Sequence, residues 1–355
     1  MKILQFLLIP LALLYGTIIR FWTWMYEMGY WGKVSFSVPV ISVGNIQAGG
    51  TGKTPLVEYI CQLLYGRNKI ALLSRGYKRL TYGFRYAAPK DTYKEIGDEP
   101  AWIKQRFPEI AVGVAENRIE GIPHLIAHQL DTEVILLDDG FQQLGIRTAL
   151  NILLTPYHRP YTRDEFLPAG RLREPVKAAE RADIIVITKC PQSRLQEKAQ
   201  IIRELGLAVL PHQKVFLSAI RYVTPYLLFY EGMIEPLSVR EHILLVTGIA
   251  DSAPLVGHLK GQGLQVHHLA YRDHYRFREE DVQHINKEYL ELSSSNQPVR
   301  ILTTEKDAMR LIPLRSIIDA LKMDIYVQPI SLIWDDRQGF DQSILSLLPE
   351  EELPA

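Results

Sequence analysis

The chain has 355 residues, 47% of them hydrophobic and 23% charged. Those are the proportions of a folded globular protein with an ample core, in about two domains at the usual domain size. Its 40 Lys and Arg balance 40 Asp and Glu, so the zero net charge gives no support to broad nucleic-acid binding.

The N-terminus opens on a nearly unbroken apolar run, Ile3 to Ile19, interrupted by Gln5 and Pro10. Arg20 follows, then the ring cluster Phe21, Trp22, Trp24, Tyr26, Tyr30 and Trp31, with Lys33 beyond it. No small-residue cleavage site follows, which argues against a secretory signal. Rings at headgroup depth with cations beside them are the chemistry of an interfacial segment. A helix lying in the membrane interface, a true span and a packed N-terminal helix all remain open.

Val38 to Thr54 reads VPVISVGNIQAGGTGKT, a β-type run passing into glycines and then Gly52-Lys53-Thr54. This is a phosphate-binding loop in outline. The loop Gln47, Ala48, Gly49, Gly50, Thr51, Gly52, Lys53 and Thr54 would turn its amides onto an anion. Lys53 would neutralise the outer phosphates, and the Thr54 hydroxyl would reach Mg²⁺. The usual first glycine is missing, since Gln47 stands there. A helix expected from Pro55 to Tyr65 adds its positive end to the same spot. The bland alternative is a glycine-rich strand-to-helix turn.

Further strands are expected at Ile70–Ser74, Val134–Leu137, Asn151–Leu154 and Ile184–Thr188, with a helical segment from Ala101 to Arg106 and a long surface loop from Lys78 to Lys94. Strands alternating with helices argue for a mostly parallel sheet covered on both faces. Beyond a loosened stretch, strands at Ile243–Thr247, Gln265–Leu269 and Val299–Thr303 alternate with helices at Ser252 to Lys260 and Glu279 to Leu292, with a last helical stretch from Ala308. The expected class is α/β: a P-loop-containing parallel sheet domain, a smaller second α/β domain and an N-terminal apolar membrane-associating helix. The expected boundaries are 1–33 for the helix, 34–210 for the nucleotide-binding domain, 211–238 for an extended linker, 239–347 for the second domain and 348–355 for a frayed tail. Cys61 and Cys190 lack metal-ligand spacing and read as buried, reduced thiols, which fits a cytosolic compartment.

Several polar groups stand out beside the loop. Asp138-Asp139 closes an apolar strand, where a carboxylate can hold Mg²⁺ directly or through water. Arg171, Arg173 and Glu174, in a loop rich in Pro and Gly, have the chemistry of a phosphate and metal clamp. Asp98, in Gly-Asp-Glu-Pro, reads equally as a turn or N-cap residue, and His274 as a structural histidine. Thr304-Glu305-Lys306-Asp307 reads as a capped helix start.

Taken as an ordered set, these segments resemble the tetraacyldisaccharide 4′-kinase family. The resemblance is carried by Val43-Gly44-Asn45 with Gly49-Gly50-Thr51-Gly52-Lys53-Thr54-Pro55, by Leu73-Ser74-Arg75-Gly76-Tyr77 and by Gly97-Asp98-Glu99-Pro100. Asp138-Asp139-Gly140-Phe141-Gln142, Leu167-Pro168-Ala169-Gly170 and Leu172-Arg173-Glu174-Pro175 continue it, followed by Gly248-Ile249, Asp273-His274 and Thr304-Glu305-Lys306-Asp307. It covers the chain from the N-terminal apolar segment to about residue 310, and the family's loop also lacks the first glycine.

The resemblance implies transfer of the γ-phosphate of ATP, with Mg²⁺, to the 4′-hydroxyl of an acylated glucosamine disaccharide 1-phosphate, giving lipid IV-A in lipid A biosynthesis. It implies Lys53 and Arg173 on the phosphates, and Thr54, Asp138, Asp139 and Glu174 toward the metal. Asp98 becomes the base, with His274 orienting it across two domains that close together. Arg75, Tyr77, Arg118 and Gln142 are implied contacts to substrate or phosphate. The implied location is the cytoplasmic face of the bacterial inner membrane, with no nucleic-acid or protein partner. The chain departs from the family at Gln143-Leu144-Gly145, where a histidine and basic residues are usual, and in the looser stretch Gly113 to Arg118. Two other readings share the loop and the anchor: a membrane-associated nucleotide switch or partitioning ATPase, and a cytosolic small-metabolite kinase.

Overall fold

The computed structural model describes residues 2–229, 236–238, 241–294 and 297–348. Within these the chain forms two compact units. The first takes 2–89, 103–220 and 332–348; the second takes 90–102 and 221–331.

The first unit is built on a nine-stranded sheet in the spatial order Ile330–Trp334, Lys214–Tyr222, Ile184–Thr188, Leu150–Pro156, Val40–Gly44, Val134–Asp138, Ile70–Ser74, Ala111–Val114 and Arg85–Tyr86. Val40–Gly44, Val134–Asp138, Ile70–Ser74 and Ile184–Thr188 are buried at every position. A strand covered on both faces cannot alternate polar and apolar residues, which is why these segments are near-continuous apolar runs. Ala71, Leu73, Ile135 and Leu137 pack on one face with Ile122 and Leu125 of the helix Arg118–His128. Leu153, Ile185, Ile187 and Leu217 join a second core with Ile201 and Leu205.

The second unit carries a five-stranded sheet, ordered Gln265–Ala270, His242–Thr247, Val299–Thr304, Ile325–Gln328 and Tyr226–Leu227. Period-two alternation is plain here. Leu244 and Val246 face Phe277, Val282 and Ile285, while Ile243 and Leu245 face Leu255 and Leu259. The helices Glu279–Ser293 and Ala253–Gly261 therefore cover opposite faces.

The units depart from the boundaries expected from sequence in three places. Residues 90–102 belong to the second unit, not to the nucleotide-binding one. Much of the expected linker is a sheet strand: Lys214–Tyr222 runs parallel to Ile184–Thr188, with Ile187 opposite Leu217. Residues 230–235, 239–240 and 349–355, which include parts of the expected linker and tail, lie outside the described residues. Finally, 332–348 returns to the first unit, where Trp334 stacks on Phe340 at 4.2 Å and Tyr59 Oη donates to Asp341 Oδ1 at 2.6 Å.

The N-terminal helix spans Lys2–Glu27, and Leu8–Glu27 is long and apolar enough to cross a membrane, with mean hydropathy 1.3. One stripe of it is packed. Ala12, Gly16 and Thr23 are buried, with Tyr15, Ile19 and Tyr26 half-buried beside them. Tyr15 meets Phe166 edge-on, and Arg20 stands over the same ring at 5.4 Å. Leu11, Leu13, Leu14, Ile18, Phe21, Trp22 and Trp24 stay exposed.

Candidate active site

Val40–Gly44 sits between two parallel neighbours, Leu150–Pro156 and Val134–Asp138. The loop after it therefore opens at the carboxyl ends of the strands, where open α/β sheets bind ligands. Gly44 is required by close approach: a Cβ there would lie 2.6 Å from the Phe141 Cβ. Gly52 caps the helix Lys53–Leu64 with φ +92°, a left-handed backbone that suits glycine. The helix begins at Lys53, so Lys53 and Thr54 lie in its first turn, at the positive end of its dipole.

Gln47 does not serve as a loop turn. It is buried, and its Nε2 donates to the Arg159 carbonyl and to Asp164 Oδ2, at 3.2 and 3.1 Å. The Ala48 amide is likewise committed, donating to the Arg171 carbonyl at 2.7 Å. Both belong to the stretch expected to cradle phosphate. They zip that loop to the segment around Leu172, where the Arg173 amide answers by donating to the Ile46 carbonyl at 2.8 Å. On the other flank, Thr188 Oγ1 donates to the Thr51 carbonyl and Lys189 Nζ to the Gly50 carbonyl, at 2.7 and 2.8 Å. Sequence reading passed over both residues. Their signal was a Thr-Lys pair closing an apolar strand next to the loop.

A chain of charges lies beside the loop. Lys53 Nζ is 3.3 Å from Asp139 Oδ1, and Arg173 Nη1 is 3.1 Å from Asp139 Oδ2. Gln142 accepts from Arg173 at 3.5 Å and donates to Glu174 Oε1 at 2.9 Å; Arg181 Nη2 closes on Glu174 Oε2 at 2.5 Å. Burial works to raise the Asp139 pKa, but Lys53 and Arg173 outweigh it and hold the carboxyl below its ordinary value. Asp139 adopts φ +53° at the strand end. Three of the expected site residues have protein partners here. Asp139 and Glu174, expected as metal ligands, are each ion-paired. Gln142, expected to touch substrate, spends its amide on Glu174 and on the Asn45 carbonyl at 2.6 Å.

Asp138 stands across from Val43, at the start of the loop, and accepts from Ser74 Oγ at 2.8 Å. Thr54 and Asp138 offer hard oxygen donors. Among the described residues no group of three or more His, Cys, Asp or Glu forms a metal cage. That donor set fits Mg²⁺, which takes one or two protein oxygens and completes its shell with phosphate and water.

Arg118 is buried at the start of its helix, and Nη1 donates to the Glu116 carbonyl at 3.0 Å. Burial pushes its pKa down, while the charges of Asp138 and Asp139 push it up. Arg75 and Tyr77 are exposed just beyond the strand Ile70–Ser74.

The second unit assembles a separate group. Asp98 opens the helix Asp98–Arg106, and its Oδ2 lies 2.8 Å from His274 Nδ1. The expectation that domain closure brings these residues together is corrected. Both belong to one compact unit, and the pair is already made. His274 sits at φ +57°, its amide donating to the Gly248 carbonyl at 2.9 Å. Burial acts to raise the Asp98 pKa, but hydrogen bonds from His274 and Arg310 overcome it and leave the carboxyl below its usual value. Sequence reading stopped at Asp307 and missed Arg310, three residues along the same helix and therefore on the same face.

The chain thus carries a glycine-rich strand-to-helix loop with Lys53 and Thr54 in the first helical turn and Arg173 joined to Lys53 through Asp139, and a hydrogen-bonded aspartate–histidine pair. A family model described as tetraacyldisaccharide-1-P 4′-kinase matches residues 4–349. The tetraacyldisaccharide 4′-kinase of Bacteroides thetaiotaomicron is 39% identical over 97% of this chain and 93% of the relative. That of Parabacteroides distasonis is 40% identical over 96% of this chain and 93% of the relative. The crystal structure of LpxK from Aquifex aeolicus in complex with ATP superposes with a TM-score of 0.74 at 27% identity, covering 97% of this chain and 99% of that one. The chain belongs to the tetraacyldisaccharide-1-P 4′-kinase family.

Proposed function

We propose that this chain transfers the γ-phosphate of ATP to the 4′-hydroxyl of tetraacyldisaccharide 1-phosphate, giving lipid IV-A. The observation that carries the reading is the closed Asp98–His274 pair at 2.8 Å, a proton acceptor that a nucleotide switch does not need.

Lys53 and the amides of Gly49 to Thr54 bind the β- and γ-phosphates, and Lys53 exchanges Asp139 for phosphate oxygen when nucleotide arrives. Arg173, poised on Asp139, supplies a second cation for charge that develops on the transferring phosphoryl group. Thr54 and Asp138 would hold Mg²⁺, with Asp139 and Glu174 orienting groups around it, and the ion would supply positive charge against the phosphates. The Asp98–His274 pair accepts the hydroxyl proton as the sugar oxygen bonds to the γ-phosphorus. The bond from that phosphorus to the β–γ bridging oxygen breaks, and ADP leaves with the electron pair. Arg75, Tyr77 and Arg118 bind the acceptor's polar groups.

The test is phosphate transfer from γ-labelled ATP to tetraacyldisaccharide 1-phosphate in mixed micelles. Labelled lipid is expected, and its formation is expected to fail in His274→Ala. Release of inorganic phosphate with no labelled lipid would instead favour the switch.

The N-terminal helix is the membrane element of this reading. Removing acyl chains from a bilayer costs about 0.8 kcal/mol per CH₂, so the enzyme meets its substrate at the cytoplasmic face of the inner membrane. The exposed apolar side chains from Leu11 to Trp24 enter the apolar phase, while the stripe through Tyr15 and Gly16 stays on the protein. That stripe reaches the catalytic loop: Tyr15 Oη donates to the Arg173 carbonyl at 3.0 Å. A Cβ on Gly16 would meet Phe166 at 2.8 Å. Gly16→Leu is therefore expected to lower kcat by about tenfold, through displacement of the Arg173 loop, while vesicle flotation stays unchanged. An unchanged kcat would show that the helix anchors without positioning.

A further inference from the structure

Arg310 is the most committed buried cation of the second unit. It is 1% exposed, and its guanidinium is divided between two carboxylates. Nε and Nη2 both reach Asp98 Oδ2, at 3.0 and 2.5 Å. Nη1 reaches Asp307 Oδ1 at 2.9 Å and the Gly248 carbonyl at 3.0 Å. His274 Nδ1 places a further donor on the same Asp98 oxygen. A carboxylate oxygen offers about two lone-pair sites, so these three donors saturate Oδ2.

We propose that Arg310 is a positioning residue for proton transfer: its guanidinium holds Asp98 as an anion turned toward His274 Nδ1. The proposal rests on the reading that the Asp98–His274 pair is the proton acceptor. A guanidinium fits this task because its planar fork bonds bidentately and stays charged at every working pH.

Arg310 also reaches the ring itself. Its Nη2 lies 3.4 Å from His274 Nδ1, so the guanidinium touches both members of the pair. The other ionisable groups around the pair come from several elements. Asp273 lies on the histidine's own turn, with Oδ2 3.8 Å from Nε2. Asp307 comes from the helix Glu305–Leu311. Tyr93 comes from the helix Tyr93–Ile96, its own pKa raised by burial against the pull of Arg276 and Arg310. Removing the Arg310 charge takes away a hydrogen-bonded cation that helps hold the Asp98 carboxyl below its usual value. The acid limb of kcat against pH, where Asp98 must stay an anion, therefore moves up.

The experiment compares pH profiles of kcat for wild type, Arg310→Gln and Arg310→Lys, with thermal melting as the check on folding. Arg310→Gln is expected to shift the acid limb up by about one pH unit, and to lose about a hundredfold at pH 7 with part recovered at pH 9. Arg310→Lys keeps a cation but not the fork. Its limb is expected to stay in place, with kcat lower by about tenfold. A glutamine variant that is slower at every pH with an unmoved limb overturns the proposal, since that marks a merely structural arginine. Where the glutamine variant does not fold, a lysine variant with wild-type kcat overturns it equally. Asp98→Asn and His274→Ala separate the two levels: if these stay active the underlying reading has failed, and if they are inactive the Arg310 result stands on its own.

Discussion

Lys53→Met is expected to cost about a thousandfold in kcat/KM for phosphoryl transfer, close to 4 kcal/mol of transition-state stabilisation, while barely changing thermal stability. The contrast follows from what Lys53 touches in each state. In the structure described here Lys53 pairs with Asp139 across 3.3 Å, both side chains partly exposed. Pairs of that kind contribute about 1 kcal/mol or less, and Asp139 keeps Arg173 as a counter-ion at 3.1 Å. With nucleotide bound, the same ammonium faces developing charge on the β- and γ-phosphates, and the helix dipole behind it cannot replace a full charge. Methionine keeps the unbranched stem, so packing is preserved and the loss reports on charge. Steady-state kinetics at saturating lipid, with calorimetric melting alongside, check this. A variant within tenfold of wild type would remove Lys53 from the mechanism; a large drop in melting temperature would make it a structural residue instead.

Much of the first unit was legible because burial writes itself into sequence. Val40–Gly44, Ile70–Ser74, Val134–Asp138 and Ile184–Thr188 are buried throughout, and only short apolar runs punctuated by glycine satisfy that. Pairing across long separations leaves no such mark. Ile330–Trp334 reads like any half-buried strand, and nothing local says that it joins the nine-stranded sheet. Residues 90–102 follow the same rule: their sequence shows a capped turn and a helix start, not the unit that collects them.

The site divided along the same line. Phosphate-loop chemistry is local, so Gly52, Lys53 and Thr54 could be read at once. Asp98 and His274 are 176 positions apart, and only the family resemblance joined them. Gln47 looked like a flaw in a glycine loop; its buried amide in fact ties that loop to Asp164. Arg310 was hidden differently. It stands one helical turn past Asp307, so the helix period was sufficient to place it beside a carboxylate, but not to say that a second carboxylate, Asp98, would share it. In the N-terminal helix the reverse occurred. Apolar residues all round conceal the packed face, yet the small residues Ala12, Gly16 and Thr23 mark it at helical spacing.

Asp98→Asn should reduce kcat at pH 7 by about a hundredfold or more, because the residue that takes the acceptor's proton loses the carboxylate beside it. The asparagine oxygen would take the place of Oδ2, on which Arg310 Nε, Arg310 Nη2 and His274 Nδ1 all converge. The contacts then persist while the negative charge does not, and the effect reads the charge alone. The same change removes the anion from a buried ion pair. Arg310 would keep Asp307 at 2.9 Å but lose its charged partner at 2.5 Å, a loss of about 3 kcal/mol in unfolding free energy. This second effect has a defined pH dependence. The Asp98 carboxyl lies below its ordinary value of 3.8 in the folded chain. Its stabilisation is therefore complete above the unfolded pKa and is lost as pH falls through the folded one. The stability gap between wild type and Asp98→Asn should be full at pH 7 and should narrow below about pH 4. Denaturant unfolding at neutral and acid pH measures that gap directly. A gap equal at both, or a variant with kcat within tenfold of wild type, would mean that the Asp98 carboxylate neither holds the histidine nor supports the fold through its charge.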